Sequence, residues 1–309
     1  MLEEIRNANG LDSELIPIST ALCYFANLSH SNEGDGYLDD TVVTIEELKS
    51  QGFSMLEPSL CHELEYTQLA MKTYANYHSL SIVGLRKWAN PDGSFSLPKS
   101  LESFGKTPYY VHPPGIYGSM VLPNYSKVMR HLQHPEAAQW LDDLIPKLEH
   151  IWSWDDFIQA GPLTCVLHGD AWSNNLLFHH STSDGGRPTE MIIIDWQIAR
   201  CGHPSIDILF YIFSGTSASF RKQHLANLLH LYWSTLNHNL GLLGVDLTAE
   251  GYDEERFIRE THQRCVLAML MAFFILPITL DRTKACQLAR ETKEMKGKIR
   301  LITSPPSDL

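Results

Sequence analysis

Residues 168–175 read His-Gly-Asp-Ala-Trp-Ser-Asn-Asn, and farther along comes Ile192-Ile193-Ile194-Asp195-Trp196. A carboxylate, Asp170, stands five positions before an amide, Asn175, and a second carboxylate, Asp195, follows a short apolar run. Cys165-Val166-Leu167 leads into the first segment, and Leu176-Leu177-Phe178 and Met191-Ile192-Ile193-Ile194 are two β-prone runs. Between them His179 to Glu190 contains Ser, Asp, Gly185-Gly186 and Pro188 and reads as a loop. If the two runs pair as an antiparallel hairpin, the start of the first lies beside the end of the second. Asn175 and Asp195 then meet at one end of the hairpin, and Asp170 approaches from the preceding loop. Three oxygen-bearing side chains without a Cys or His partner suit a hard cation such as Mg²⁺. The bland alternative is an ordinary hairpin flanked by solvated Asp and Asn. An isolated His-Gly-Asp would not exclude it, but the full order of strand, motif, offset, hairpin and Asp is far more specific.

Phosphoryl transfer asks for this set of groups: one Asp to orient the attacking hydroxyl, and an Asn and an Asp to hold magnesium on nucleotide phosphates. A hydrolase using Asp170 and Asp195 as an acid/base pair is a weaker fit, because it leaves Asn175 without a role.

The stretch from Cys165 to Phe213 resembles the catalytic core of the aminoglycoside phosphotransferase and choline kinase group, and within it the ecdysteroid kinase-like (CHK kinase-like) branch. The resemblance is carried by residues 168–175, by Ile194-Asp195-Trp196-Gln197, and by Pro204-Ser205-Ile206-Asp207-Ile208. The branch usually has Phe where this chain has Trp196. Upstream, Val43-Thr44-Ile45-Glu46-Glu47-Leu48 with Gly52-Phe53 resembles the hinge strand, and Ala75 to Ser81 the first helix of the large lobe. The resemblance implies an α+β, protein-kinase-like fold: a mostly helical large lobe with a catalytic β-hairpin over 56–309, and an incomplete small lobe over 1–55. It implies Asp170 as catalytic base, Asn175 and Asp195 as magnesium ligands, and Asp207 as support for the catalytic loop. His168 would pack beneath that loop, and Glu46, Glu47 and Leu48 would offer backbone groups to adenine. The implied cofactors are ATP and Mg²⁺, and the implied substrate is a small-molecule alcohol, for this branch a steroid hydroxyl.

The chain also departs from that pattern. Such kinases begin with a phosphate-covering loop, a strand Lys and a helix Glu that pairs with it. Here the first lysine is Lys49, beyond the hinge, and Gly10, Gly34 and Gly36 lie in no strand-like run. Met1 to Arg6 is the candidate remnant of the Glu-bearing helix. The implied activity is therefore an ATP-dependent phosphotransferase impaired in this form; the alternative is a catalytically inactive kinase-like protein that binds or regulates.

Net charge is −12 with a pI near 5.6 and no basic run, which argues against nucleic acid and anionic membranes as partners. A hydrophobic content of 44% can build a substantial core. The six cysteines include no C-x-x-C pair, which together with the lack of a signal-peptide pattern implies reduced thiols and a cytoplasmic setting. Cys265 to Leu280 is apolar but shorter than the ~20 residues a bilayer needs, contains Pro277, and reads as a buried helix. No His pair has zinc-like spacing. The sequence leaves the oligomeric state open.

A helical pattern begins at Glu63, and residues 90–124 look irregular. Helical stripes run from Val128 and again from Ala138 to Leu148, broken near Pro135. Helices are expected over 205–214, 219–240, 253–276 and 282–299, with Gly215 as a helix stop. A polar turn is expected over 30–41, an exposed His179-His180 pair at the hairpin loop, packing at Trp152 to Asp156, and a disordered tail at Ser304 to Asp308.

Overall fold

In the computed structural model, residues 2–27, 42–57, 61–92, 94–97, 115, 117–152, 161–181 and 186–280 are described. The turn expected over 30–41, residues 153–156, the 282–299 helix and the tail lie outside them.

Three small antiparallel arrangements carry the strands. β1 (Cys23–Asn27) pairs with β2 (Val42–Ile45). β3 (Phe53–Ser54), β5 (Leu176–His180) and β6 (Pro188–Ile193) form a sheet in the order β3-β5-β6. β4 (Cys165–Leu167) pairs with β7 (Arg200–Gly202). The β1–β2 ribbon shows the most solvent: Leu22, Tyr24, Phe25, Val43 and Ile45 are each more than half exposed.

The helices are α1 (Leu2–Ala8), α2 (Leu64–Arg86), α3 (Leu122–His131), α4 (Pro135–Leu144), α5 (Leu148–Ile151), α6 (Ser205–Gly215), α7 (Ala218–Leu242) and α8 (Glu254–Leu280). α2 is the central element. It buries Ala70, Met71, Tyr74, Ala75, Leu80, Ile82 and Leu85 on several faces, because α7 packs along it and β4 and β6 lie against it. α8 covers α6 and runs on through Pro277. No described helix is long and apolar enough to cross a membrane. α1 packs Ile5 with Ile16, Leu80 and Leu243, so it rests on α2.

Several local expectations need correction. β5 and β6 extend into the segment read as a loop, to His180 and back from Pro188, with a register shift between His179 and His180. Both histidines are half-buried strand residues: His179 packs on Phe53, and Tyr66 and His180 share a 3.0 Å hydrogen bond. Those partners come from distant sequence and could not be read locally. Residues 117–121 form a π-helical turn that leads into α3, so helix begins before Val128. Pro123 in the first turn masks that start in the sequence but costs nothing there, since its missing N–H would be unsatisfied anyway. α6 does end at Gly215, as expected, but without a left-handed turn, since the Gly215 φ is not positive. The helix ends where Thr216 turns extended while its hydroxyl donates back to the Ile212 carbonyl. Ser217 then caps α7 by accepting from the Phe220 N–H at 3.1 Å.

Phe178 joins the β5–β6 hairpin to the helical body. It is fully buried and meets His62 and Tyr66 edge-on. Phe178→Ala should destabilise the chain by about 3–5 kcal/mol, read as a lower urea midpoint with an unchanged slope.

Candidate active site

The site is assembled at the open end of the hairpin. Leu176 pairs with Ile193, and the Ile194 N–H donates to the Asn175 carbonyl at 3.0 Å. Asn175 and Asp195 thus leave the same end of the ribbon on neighbouring strands. The loop from His168 arrives from β4, whose Leu167 sits opposite Arg200 of β7.

Asp207, in the first turn of α6, is fully buried. Its Oδ2 accepts the His168 N–H at 2.7 Å and its Oδ1 accepts the Gly169 N–H at 2.9 Å. His78 Nε2 lies 3.3 Å from Oδ2, and His78 Nδ1 meets the Tyr232 hydroxyl at 2.8 Å. Burial raises the Asp207 pKa, but the His78 hydrogen bond and charge and the Gly169 N–H outweigh it and hold the carboxyl below its usual value. The place at a helix start adds favourable dipole interaction.

Gly169 has φ +85°, and a Cβ there would fall 2.6 Å from the Ile198 carbonyl oxygen and into the Arg200 guanidinium. Arg200 is itself buried and runs under the loop. Sequence inspection did not single it out, because its role exists only once β7 pairs with β4. His168 is fully buried; its Nδ1 accepts the Asp170 N–H at 3.2 Å, so Nε2 carries the hydrogen donated to the Ile194 carbonyl at 2.8 Å. Its ring stands edge-on to Trp196, 4.7 Å away, and Trp196 packs at 4.8 Å on Tyr77. The imidazole therefore spans the catalytic loop and the strand end that carries Asp195.

Asp170 is half-buried. The Asn175 amide donates to its carbonyl at 2.8 Å and to its Oδ2 at 3.0 Å. Burial raises the Asp170 pKa, opposed by Asn175 and Trp172, while Asp195 adds to the rise. The buried Trp172 indole N–H approaches this carboxylate without closing a hydrogen bond of ordinary geometry.

With its amide nitrogen engaged, Asn175 has Oδ1 free of hydrogen bonds among the described residues. Asp195 is exposed and its Oδ2 takes only a long 3.3 Å bond from Gln197. Asp195 has φ +66°, a left-handed conformation uncommon outside glycine, though Asp adopts it more readily than most residues. These oxygens are of the kind a hard cation takes. No group of three or more His, Cys, Asp or Glu converges as a metal site among the described residues.

Glu46, Glu47 and Leu48 follow β2. The Glu46 N–H donates to the Leu22 carbonyl at 2.8 Å, while Glu47 accepts from Lys49 and Ser50 N–H groups and Leu48 is buried. No hydrogen bond or ion pair joins the three to Asp170, Asn175 or Asp195 among the described residues. β3, which follows them, pairs with Phe178 and His179, away from the Asn175 end of β5.

A sequence model of the ecdysteroid kinase-like family matches residues 7–245. The chain belongs to this family. The α+β, protein-kinase-like class expected for it is the one observed. Among solved structures, the family member is similar to a proposed aminoglycoside phosphotransferase from Ralstonia eutropha at 16% identity, covering 87% of this chain and 81% of that one, with a TM-score of 0.37. It is also similar to a choline/ethanolamine kinase family protein from Mesorhizobium loti at 12% identity, covering 89% and 82%, with a TM-score of 0.31. No curated protein matches significantly.

Asp207→Asn should cost this ecdysteroid kinase-like protein about 2–4 kcal/mol, since one amide oxygen cannot serve two loop N–H groups and a buried donor is stranded. The pH dependence has a definite sign. Asp207, with a depressed folded pKa, stabilises the fold above its unfolded value of 3.8, and that contribution is lost as pH falls through the folded value. Burial pushes His62 and His203 down to about 4, so each loses stability earlier, between 6.5 and about 4. Denaturant titration against pH should show the variant lacking only the lower step.

Proposed function

We propose that this protein transfers the γ-phosphoryl group of ATP to a hydroxyl of a small molecule, the steroid alcohols being the acceptor class suggested by its family. The reading is carried by one observation: the Asn175 amide holds both the carbonyl and the carboxylate of Asp170 at the hairpin end from which Asp195 projects.

Asp170 orients the acceptor hydroxyl and takes its proton as the acceptor oxygen bonds to the γ-phosphorus. The bond from that phosphorus to the β–γ bridging oxygen breaks, and ADP leaves with the electron pair. The raised pKa of Asp170 suits it to accept a proton. Asn175 Oδ1 and the Asp195 carboxylate would hold Mg²⁺, which when bound neutralises charge on the β- and γ-phosphates. His168 and Asp207 keep the loop in register. Glu46 N–H is already bonded to Leu22, and the Glu47 and Leu48 carbonyls accept from Gln51 and Phe53, so adenine recognition would fall to the N–H groups of Glu47 and Leu48. We place the protein in the cytoplasm.

A second reading, a kinase-like protein that binds without transferring, applies to the 309 residues as they stand, whose first lysine, Lys49, follows β2. A charge-assisted hydrogen bond is worth about 1.5–3 kcal/mol, so residues that hold the phosphates without one would bind ATP·Mg roughly ten- to a hundred-fold more weakly. Calorimetric titration of the 309-residue chain should accordingly show weak, magnesium-dependent binding. Tight binding with robust turnover would show that another group replaces the lysine.

In a form that turns over, Asp170→Asn should lower kcat by roughly 10²–10⁴-fold with nucleotide affinity nearly unchanged. Asp195→Asn should instead remove metal-dependent nucleotide binding. Wild-type turnover by Asp170→Asn would remove Asp170 from its role.

A further inference from the structure

A cleft of about 230 Å³ opens between the turn at residues 161–164 and α8. It is separate from the catalytic loop. Residues 161–164 enter β4 and His168 leaves it, while antiparallel pairing sets His203, just past β7, beside the entry end. Strands of three residues put roughly 10 Å between those ends.

The lining is polar and its charges do not balance. Arg256, Glu260 and Arg264 stand at four-residue steps on one face of α8. Glu260 is fully engaged: Oε1 accepts from Arg256 Nε at 2.9 Å, and Oε2 accepts from the Tyr252 hydroxyl at 2.7 Å and lies 3.3 Å from His203 Nε2. His203 Nδ1 accepts the Ser205 N–H at 3.3 Å, so Nε2 bears the hydrogen. Burial keeps this imidazole neutral, lowering its pKa to about 4. The Glu260 charge is thus answered by Arg256. Nearby Arg86, which donates to the Pro162 carbonyl, is answered by Glu250.

Arg264 has no such partner. It is half-buried, donates Nη1 to the Glu260 carbonyl on its own helix at 2.8 Å, and pairs with no carboxylate among the described residues. Arg256 uses Nε on Glu260 and lays its guanidinium over the Tyr252 ring at 4.7 Å. Its terminal nitrogens make no other hydrogen bond among the described residues. A partly desolvated cation without a counter-charge is costly, and an anion entering the cleft would remove that cost. The volume lies below the range of about 300–1,000 Å³ usual for drug-sized ligands, which selects a small anion over a nucleotide.

We propose that this cleft is a binding site for a small oxyanion, a phosphate or carboxylate group, held by Arg264 and the terminal nitrogens of Arg256, with the Gln263 amide at the rim. The assignment does not depend on the phosphotransfer reading.

The test is thermal unfolding of the 309-residue chain without magnesium, at constant ionic strength, with inorganic phosphate in one arm and acetate in the other against chloride. At tenfold excess over Kd the bound anion should raise Tm by about 1–3 °C. A shift in the phosphate arm, the acetate arm or both supports the site and identifies its anion. Arg264→Gln should abolish the shift, and Asp195→Asn should keep it. Gln263→Glu, at an exposed position that the fold does not need, should raise the half-saturating concentration roughly fivefold by like-charge repulsion. It decides the matter if Arg264→Gln fails to fold. No shift with either anion up to 50 mM (roughly fiftyfold above a millimolar Kd), an equal shift in Arg264→Gln, an unchanged half-saturation in Gln263→Glu, or loss of the shift in Asp195→Asn would overturn the proposal.

Discussion

The candidate site depends on one buried carboxylate gripping two adjacent backbone N–H groups. Asp207 takes the His168 and Gly169 N–H groups on separate oxygens, inside a fully dry environment. Such a charge is expensive to bury, and only full hydrogen bonding makes it tolerable. Four constraints meet there. α6 must begin beside the end of β4, β7 must pair with β4 to bring it there, α2 must supply His78, and position 169 must be glycine because a Cβ would strike the Ile198 carbonyl and Arg200. Helices, strands and turn thus share a single anchor.

From that anchor the candidate site is laid out by short links. His168 ties the loop to the Ile194 carbonyl, one residue before Asp195. Asn175 ties the far end of the loop back to Asp170 and keeps one oxygen uncommitted. Asp195 is held at φ +66°, a conformation maintained by its surroundings and consistent with a residue positioned for function. Trp196 fills the space beneath, between Tyr77 and His168, so the change from the Phe usual in the branch enlarges a packed aromatic contact.

The core of this arrangement was legible because its polar residues keep fixed offsets from apolar runs. Asp170, Asn175 and Asp195 follow from where β4 ends and where the hairpin opens. Other features were not legible, for physical reasons. β7 is three residues long and begins with Arg200; only pairing with β4 makes it a strand. His179 and His180 look like loop residues until Phe53 and Tyr66 are placed beside them. The start of α3 hides behind Pro123, and α6 ends at Gly215 with the Thr216 hydroxyl closing its last turn. His78 sits in a helical stripe and reads as core, yet it completes the Asp207 network from 129 positions away. Long-range partners decide the cases of β7, His179, His180 and His78, and local backbone and side-chain bonding decides the two helix ends.

The central claim is that Asp207 and His168 hold Asn175 and Asp195 as a metal pair facing Asp170. A crystal structure of the protein with ATP and Mn²⁺ in place of Mg²⁺, with the metal located by its anomalous signal, tests this most directly. The account predicts a metal peak at about 2.1 Å from both Asn175 Oδ1 and the Asp195 carboxylate, with the Asp207 contacts to His168 and Gly169 intact. A metal bound elsewhere, or an Asn175 side chain turned away while nucleotide and metal are in place, would contradict it.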